Sequence, residues 1–229
     1  MKCNFIAFPI GDYVKNSIRM IKQFSESIFI EKKSKFISYA VPAYTEQEAV
    51  DFINSIKKKH YDASHYCSAF IIGEDGNIQR SSDDGEPAGT AGIPILEVLR
   101  KESLTNTAVV VTRYFGGIML GAGGLIRAYT KGCSDVVNAA GVMRLQPYEI
   151  YEVTIDYTLL SKIQHEIGKK GYLIANIEYL DVVSLKMLVE PEVSEAFQKD
   201  IIEWTNANAL IEYKGTETLK VDDLTSKII

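Results

Sequence analysis

The chain contains 229 residues, 46% of them hydrophobic and 24% charged, which is typical of a globular protein and excludes bulk disorder. Its three cysteines, Cys3, Cys67 and Cys133, form no CxxC pair, which excludes a disulfide framework and indicates reduced thiols in a cytoplasmic protein. Residues 1–145 carry 17 Lys/Arg and 15 Asp/Glu, whereas residues 146–229 carry 8 and 15, so the chain lacks the basic surface of a general nucleic-acid-binding protein.

Residues 1–19 carry no convincing structural pattern and are interpreted as an extension. Gly11, Asp12 and Lys15 interrupt its apolar start too early for a secretory signal. No stretch of the chain approaches the roughly 18 apolar residues of a membrane span. We therefore expect a cytoplasmic protein without membrane contact.

A hairpin and a helix are predicted next. The apolar runs Ser27–Ile30 and Phe36–Val41 flank a charged turn, which predicts two paired strands. Thr45 and Glu48 have the spacing of a capping box, and apolar residues then recur at helical intervals as far as about Lys59. A helix is therefore expected to follow the hairpin.

The rest of the predicted N-terminal domain, which we place at residues 20–143, alternates strands, polar loops and helices. Pro94 suits the first turn of a helix, and Gly141 suits the end of another. The expected elements are strands at 68–73, 78–81 and 108–112 and helices at 94–101 and 124–140.

Arg144–Pro147 is interpreted as a linker, because polarity, a proline and a shift to acidic composition coincide there. A βαββαβ pattern follows and predicts a ferredoxin-like C-terminal domain at 148–216, with 217–229 as a mobile tail. The expected elements are strands at 151–157, 172–179, 182–189 and 209–213 and helices at 159–169 and 191–205.

The loop Ser81–Gly92 concentrates three acidic side chains and three glycines in twelve residues. Glycine permits positive φ angles and close backbone approach, while carboxylates orient a polar group or a hydrated Mg²⁺. Long polar loops are often functional, so we predict a ligand cradle, with an ordinary surface turn as the alternative. The candidate binding residues are Ser82, Asp84, Gly85, Glu86, Gly89, Thr90 and Gly92.

The second glycine-rich loop, Thr112–Arg127, follows a buried strand and leads into a helix. Exposed N–H groups at that helix start would bind phosphate or carboxylate, and Arg113 and Arg127 would add bidentate contacts. Tyr114 and Phe115 would stack on a base. The spacing matches neither a Walker A loop nor a dinucleotide fingerprint. The alternative is that the glycines serve only tight strand–helix packing; they are Gly116, Gly117, Gly121, Gly123 and Gly124. We expect both loops to line one cleft or surface patch.

His65 and Cys67 would share one face of a strand, where they would bind a metal or pair as imidazolium and thiolate. Only two ligands are visible, so a structural His65 beside a buried Cys67 is favoured and neither a metal nor a cofactor is predicted. His60 and His165 lie in polar helical contexts and are interpreted as surface residues.

The two loops together resemble the signature of the YigZ/IMPACT family. The resemblance lies in Ser82–Gly92, in Val110–Tyr129 and in Asp62–Cys67, and it extends over residues 24–140. It implies an N-terminal fold like the second domain of a small-subunit ribosomal protein and domain IV of elongation factor G. It implies a C-terminal domain like domain V of that factor, and a role in translation, which eukaryotic relatives regulate.

The expected function is therefore that of a translation-associated protein whose glycine-rich loops bind RNA, the ribosome or a ribosome-associated partner. An enzyme is the alternative: Asp83, Asp84 and Glu86 would supply acid–base or Mg²⁺ chemistry to a small phosphorylated or carboxylated ligand, with His65 as a proton relay. A third possibility is a regulator that binds a protein partner without RNA. The oligomeric state is left open by the sequence.

Overall fold

The computed structural model describes residues 17–229. The predicted extension up to residue 16 therefore lies outside the described residues. Within them, residues 18–143 and 144–229 form two compact units, here called the N-terminal and C-terminal units. Each unit combines helices with β-sheet, so the predicted two-domain α+β class is confirmed.

The N-terminal unit contains an antiparallel sheet with the strand order β2-β3-β6-β4-β5. Its elements are β1 Ile18–Ile21, β2 Ser25–Glu31, β3 Ser34–Pro42, α1 Glu46–Lys59, β4 His65–Ile72, β5 Ile78–Ser82, α2 Gly92–Lys101, β6 Thr107–Tyr114 and α3 Ala122–Ala140.

The apolar residues of β6 alternate between the two faces of this sheet, as strand geometry requires. Val109 and Val111 belong to the core that α2 and α3 complete, whereas Val110 packs with Ile56 of α1. The sheet is thus covered by helices on both faces. This explains why Ala108–Val111 of β6 form a continuous apolar run rather than alternating with polar residues, and why seven of its eight residues are buried.

Strand β1 lies partly in the segment that the sequence assigned to the extension. Arg19 forms a parallel bridge with Leu104, and its carbonyl accepts the backbone N–H of Thr105 at 2.8 Å. Met20 and Ile21 are fully buried. Residues 18 and 19, which the sequence predicts as the end of the extension, therefore belong to β1, and the bridge and hydrogen bond of Arg19 hold them there.

The C-terminal unit has the predicted ferredoxin-like βαββαβ order, with the strands arranged β10-β7-β9-β8. Both helices pack on one face of the sheet around Val153, Leu185 and Phe197. The elements are β7 Val142–Ile155, α4 Tyr157–Lys170, β8 Leu173–Tyr179, β9 Val183–Val189, a short 3₁₀ turn Pro191–Val193, α5 Ser194–Thr205 and β10 Leu210–Asp222.

Two boundary predictions in this unit are wrong. The predicted linker 144–147 lies within β7, and β10 continues to Asp222, well into the predicted tail. The reason is burial: Leu219 and Val221 pack with Tyr148 of β7, which places the end of the chain on the sheet.

Candidate functional site

The first glycine-rich loop is held together by the carboxylate of Asp83. Its two oxygens accept the backbone N–H groups of Gly89 at 2.8 Å, Ala91 at 2.9 Å and Gly92 at 2.8 Å. Burial raises the pKa of Asp83, but these three N–H bonds outweigh burial and hold that pKa below its ordinary value. Since Gly92 begins α2, the chain's own carboxylate occupies the helix start that would otherwise attract an external anion.

Asp84 attaches the same loop to α1 and β4. Its carboxylate accepts Lys57 Nζ at 2.7 Å and the backbone N–H of Tyr66 at 2.9 Å. Its carbonyl oxygen accepts a hydrogen bond from His65 Nδ1 at 2.9 Å, so Nδ1 carries a proton. Asp84 adopts a left-handed backbone with φ of 42°, which aspartate tolerates better than most residues.

Glu86 is the buried centre of the site. Its carboxylate accepts Arg113 Nη1 at 2.6 Å and the Tyr129 hydroxyl at 2.7 Å. The side chains of Glu86 and Arg113 are only 4% and 6% exposed. Burial, together with the neighbouring Cys67 and Glu86, raises the pKa of Tyr129 far above its ordinary value, so this hydroxyl remains a proton donor to Glu86.

The remaining small residues of the first loop shape its backbone. Thr90 Oγ1 donates to the carbonyl of Pro87 at 2.6 Å, and Ser82 Oγ accepts the N–H of Asp84 at 3.3 Å. Gly85 and Gly89 have φ of 86° and 75°. A Cβ on Gly92 would lie 2.7 Å from the backbone of Ser82.

The acidic residues predicted for catalysis are therefore all engaged within the fold. Asp83 binds backbone N–H groups, Asp84 binds Lys57 and Tyr66, and Glu86 binds Arg113 and Tyr129. Across residues 17–229, no group of three or more His, Cys, Asp or Glu side chains is placed to hold a metal ion. The geometry gives no support to acid–base or Mg²⁺ chemistry at this loop.

Cys67 and His65 do not form a reactive pair. Burial raises the pKa of the Cys67 thiol to about 12, and the thiol donates to the carbonyl of Asp83 at 3.0 Å. A thiol with such a pKa remains protonated near neutral pH. The structural interpretation of these two residues agrees with this geometry, and the thiolate–imidazolium alternative does not.

Arg113 has a different environment from the one predicted for it. Besides Glu86, its guanidinium contacts Ser34 Oγ at 3.3 Å and lies 5.6 Å from the Phe36 ring and 5.5 Å from the Phe115 ring. A buried guanidinium with these partners is not available to an external phosphate. Arg113 instead joins the first loop to the start of the second through a buried ion pair with Glu86.

Tyr114 is also tied down by its hydroxyl group. The hydroxyl donates to Asp62 Oδ1 at 3.1 Å and lies 2.9 Å from His60 Nδ1, and His60 Nε2 lies 2.7 Å from the Tyr39 hydroxyl. His60 is buried rather than on the surface, because it ends α1 where that helix meets the sheet. The half-buried ring of Tyr114 is therefore a poor platform for a base.

The environment of His60 makes stability depend on pH. Burial lowers the pKa of His60 below its ordinary value, and the charge of Lys59 adds to this effect. The unfolded chain, with a histidine pKa of about 6.5, then binds the proton more readily than the folded chain, so stability falls as the pH drops through that value.

Urea unfolding of the wild type and of His60→Gln between pH 7.5 and 5 tests this expectation. The wild type should lose more unfolding free energy on acidification than the variant does. If the unfolding free energy of both proteins changes equally with pH, His60 is not the source of the pH dependence.

The second loop combines close packing with an open helix start. A Cβ on Gly116 would lie 2.1 Å from the backbone carbonyl of Lys33, so the loop rests directly on the β2–β3 turn. Gly117 and Gly121 have φ of 79° and 72°, in the region that favours glycine. Helix α3 begins at Ala122, two residues before the predicted start, so Gly123 and Gly124 lie in its first turn.

The tip of this loop exposes an apolar surface, of which the sequence predicts only Phe115 as a binding residue. Phe115 is 51% exposed, Ile118 41% and Met119 86%. Lys32 and Lys33 in the β2–β3 turn and Arg127 on α3 are also exposed. We call these six residues the loop-2 surface. The apolar run Ile118–Leu120 between Gly117 and Gly121 is the sequence signal for it.

Within the part of the chain that the structure describes, no helix is both long and apolar enough to span a membrane.

Known proteins similar to this chain identify its family. Residues 32–137 match the Impact N-terminal domain, and residues 153–208 match a domain of unknown function, DUF1949. IMPACT family member YvyE of Bacillus subtilis is 46% identical over 192 residues, which cover 84% of this chain and 88% of the relative. IMPACT family member YigZ of Escherichia coli is 36% identical over 158 residues, covering 68% and 78%.

A crystal structure described as that of a hypothetical protein aligns at 30% identity with a TM-score of 0.56, covering 86% of this chain and 97% of the other. The structure of the two-domain translational regulator Yih1 aligns at 24% identity with a TM-score of 0.34, a likeness too low to support an argument. The sequence relatives and both matched domains agree over most of the chain. The chain therefore belongs to the IMPACT family.

Proposed function

We propose that this protein regulates translation by binding RNA, the ribosome or a ribosome-associated partner through the loop-2 surface. The resemblance to the YigZ/IMPACT family supports the translational part, because its eukaryotic members regulate translation. The observation that carries the binding part is the exposed apolar tip Phe115, Ile118 and Met119 beside three exposed cations.

An apolar patch rimmed by charged residues is typical of an interaction site. Here the patch is mounted rigidly, because Gly116 packs on the backbone of Lys33 and Gly116 N donates to Ser34 Oγ at 3.2 Å. A rigid mounting reduces the ordering cost of binding. The apolar side chains suit an unstacked base or a protein pocket, and the cations suit phosphate.

The electrostatics favour a local contact rather than general nucleic-acid binding. Residues 18–143 carry 14 Lys/Arg and 14 Asp/Glu, so the N-terminal unit is neutral as a whole. Within the described residues, Lys32 and Arg127 have no ion-pair partner. Their charges therefore remain available to an anionic partner.

Ribosome co-sedimentation across a salt series tests the proposal. Arg113 must stay unchanged, because its buried ion pair supports the fold, so the variant is Lys32→Glu/Arg127→Glu. We expect salt-sensitive binding by the wild type, since phosphate contacts weaken as salt displaces them, and loss of binding in the double variant. A separate Met119→Ser variant measures the apolar contribution at a side chain that supports no packing.

The matched control is Lys58→Glu, a charge reversal at an exposed residue on α1, which covers the other face of the sheet. It should bind as the wild type does. If the wild type does not sediment with ribosomes even at low salt, the proposal is wrong. If the wild type does bind, ribonuclease treatment of a pull-down separates an RNA contact from a protein contact.

A further inference from the structure

A groove lies between β2 and the first turns of α3, beside the loop-2 surface. It has a volume of about 210 Å³ and an apolar floor formed by Phe29, Leu120 and Ala128. Its rim carries four charged side chains, Glu31, Lys32, Arg127 and Lys131. The groove thus combines an apolar base with a charged edge, the usual composition of a small-ligand site.

The rim is cationic on balance. Lys131 Nζ lies 2.6 Å from Asp135 Oδ2 and 5.1 Å from the centre of the Phe29 ring, so its charge is partly shared. Among the described residues, no carboxylate forms an ion pair with Lys32 or Arg127, so their charges are not shared. Glu31 is the acidic group of the rim, and it disfavours a second negative charge at that end.

Two features make a phosphate the best match. Lys32, Arg127 and Lys131 can donate several hydrogen bonds to one group with three or four oxygens, and arginine does so in a bidentate geometry. Gly124 also lines the groove in the first turn of α3, where the helix dipole adds to the attraction for an anion. The volume is small for a large ligand but sufficient for a phosphate and the sugar attached to it.

We infer that this groove binds the phosphate group of an RNA backbone or of a small phosphorylated molecule. The inference rests on the proposed function, because Lys32 and Arg127 belong to the loop-2 surface as well as to the groove. Lys131 belongs to the groove alone and therefore separates the two ideas. The apolar floor receives the sugar or base that is attached to the phosphate.

The test is a titration of the full-length protein in which NMR monitors the backbone amide resonances. The ionic strength is kept constant with chloride as the balancing anion. The probes are inorganic phosphate, uridine 5′-monophosphate, uridine and a short polyuridine RNA. We expect saturable shifts at Lys32, Gly124 and Arg127 with the phosphate-bearing probes and none with uridine.

Substitutions on the rim measure the contribution of each cation. Arg127→Gln should weaken phosphate binding about tenfold, as expected for a charged hydrogen-bond donor. Lys131→Gln should weaken it less, about threefold, since Asp135 already shares that charge. Lys58→Gln on α1 is the matched control and should leave the affinity unchanged.

The outcomes distinguish this inference from the proposed function. Saturation by polyuridine RNA identifies an RNA backbone as the source, whereas saturation by the monophosphate alone identifies a small molecule. If ribosomes bind but none of the phosphate-bearing probes shifts the groove resonances, the inference is overturned and the proposed function stands. If phosphate fills the groove but ribosomes and RNA do not bind, the inference stands and the proposed function is overturned.

Discussion

Replacing Glu86 with glutamine is expected to lower the free energy of unfolding by about 3–5 kcal/mol, the usual effect of removing one partner from a buried ion pair. The substitution preserves shape but leaves the Arg113 guanidinium buried without its counter-charge. Arg113 cannot move into water easily, because it is 6% exposed and packed between the rings of Phe36 and Phe115. Urea unfolding followed by circular dichroism measures the change.

The matched control is Glu97→Gln, which removes one partner of the exposed pair formed by Glu97 and Arg100. That pair has half-exposed side chains, and such pairs contribute about 1 kcal/mol or less. The double variant Glu86→Leu/Arg113→Met should recover much of the loss, since both buried charges are then absent. An effect of Glu86→Gln no larger than that of Glu97→Gln would contradict the assigned role.

Replacing Gly116 with alanine is expected to destabilise the N-terminal unit by about 3 kcal/mol, at the upper end of the range for inserting atoms into a packed site. The new Cβ would lie 2.1 Å from the carbonyl carbon and oxygen of Lys33 and 2.5 Å from the N of Ser34. These are backbone atoms, so no side-chain rotation relieves the clash. The β2–β3 turn and the second loop must therefore separate.

The control is Gly117→Ala at the next position. Gly117 has φ of 79°, but a Cβ there would meet no atom within 4 Å. Only the left-handed backbone opposes the substitution, at about 1–2 kcal/mol. Gly116 itself does not have a positive φ, so backbone conformation does not oppose alanine there. A loss of unfolding free energy for Gly116→Ala no larger than that for Gly117→Ala would therefore show that the contact with Lys33 relaxes at little cost.

These two predictions distinguish residues that position the loops from residues that are exposed to bind a partner. Glu86, Arg113 and Gly116 set the position of the second loop, and none of them is exposed to a ligand as Met119 and Arg127 are. A loss of binding after changing the first three residues would follow from the altered loop. A loss after changing the last two, with unfolding free energy unchanged, would report binding itself.

Much of the fold could be predicted from the sequence because its signals are local. The Thr45 hydroxyl accepts the N–H of Glu48 at 3.1 Å, as the capping box requires, although Glu48 binds the N–H of Tyr44 rather than that of Thr45. Gly141 ends α3, as predicted. The βαββαβ order was likewise visible, because each of its elements has its own apolar period.

The ends of elements and isolated short strands are harder to predict from the sequence. Residues 18–21 and 217–222 have little local preference, and they become strands because Met20, Ile21 and Val221 find buried partners elsewhere in the chain. Burial against distant residues contributes free energy that a local pattern does not contain. The same limit explains why His60 was assigned to the surface.

For this protein, the sequence by itself determined the fold class, the order of the elements, the family and the position of both glycine-rich loops, since all of these are written in local patterns and motifs. Only the tertiary structure decided which charges in the loops remain available. Arg113 and Glu86 are 27 residues apart, and their pairing depends on how β6 and the first loop meet within the N-terminal unit. A charged residue gives the same sequence signal whether its side chain is buried in an ion pair or exposed to solvent. Its partner is therefore known only once the chain has folded.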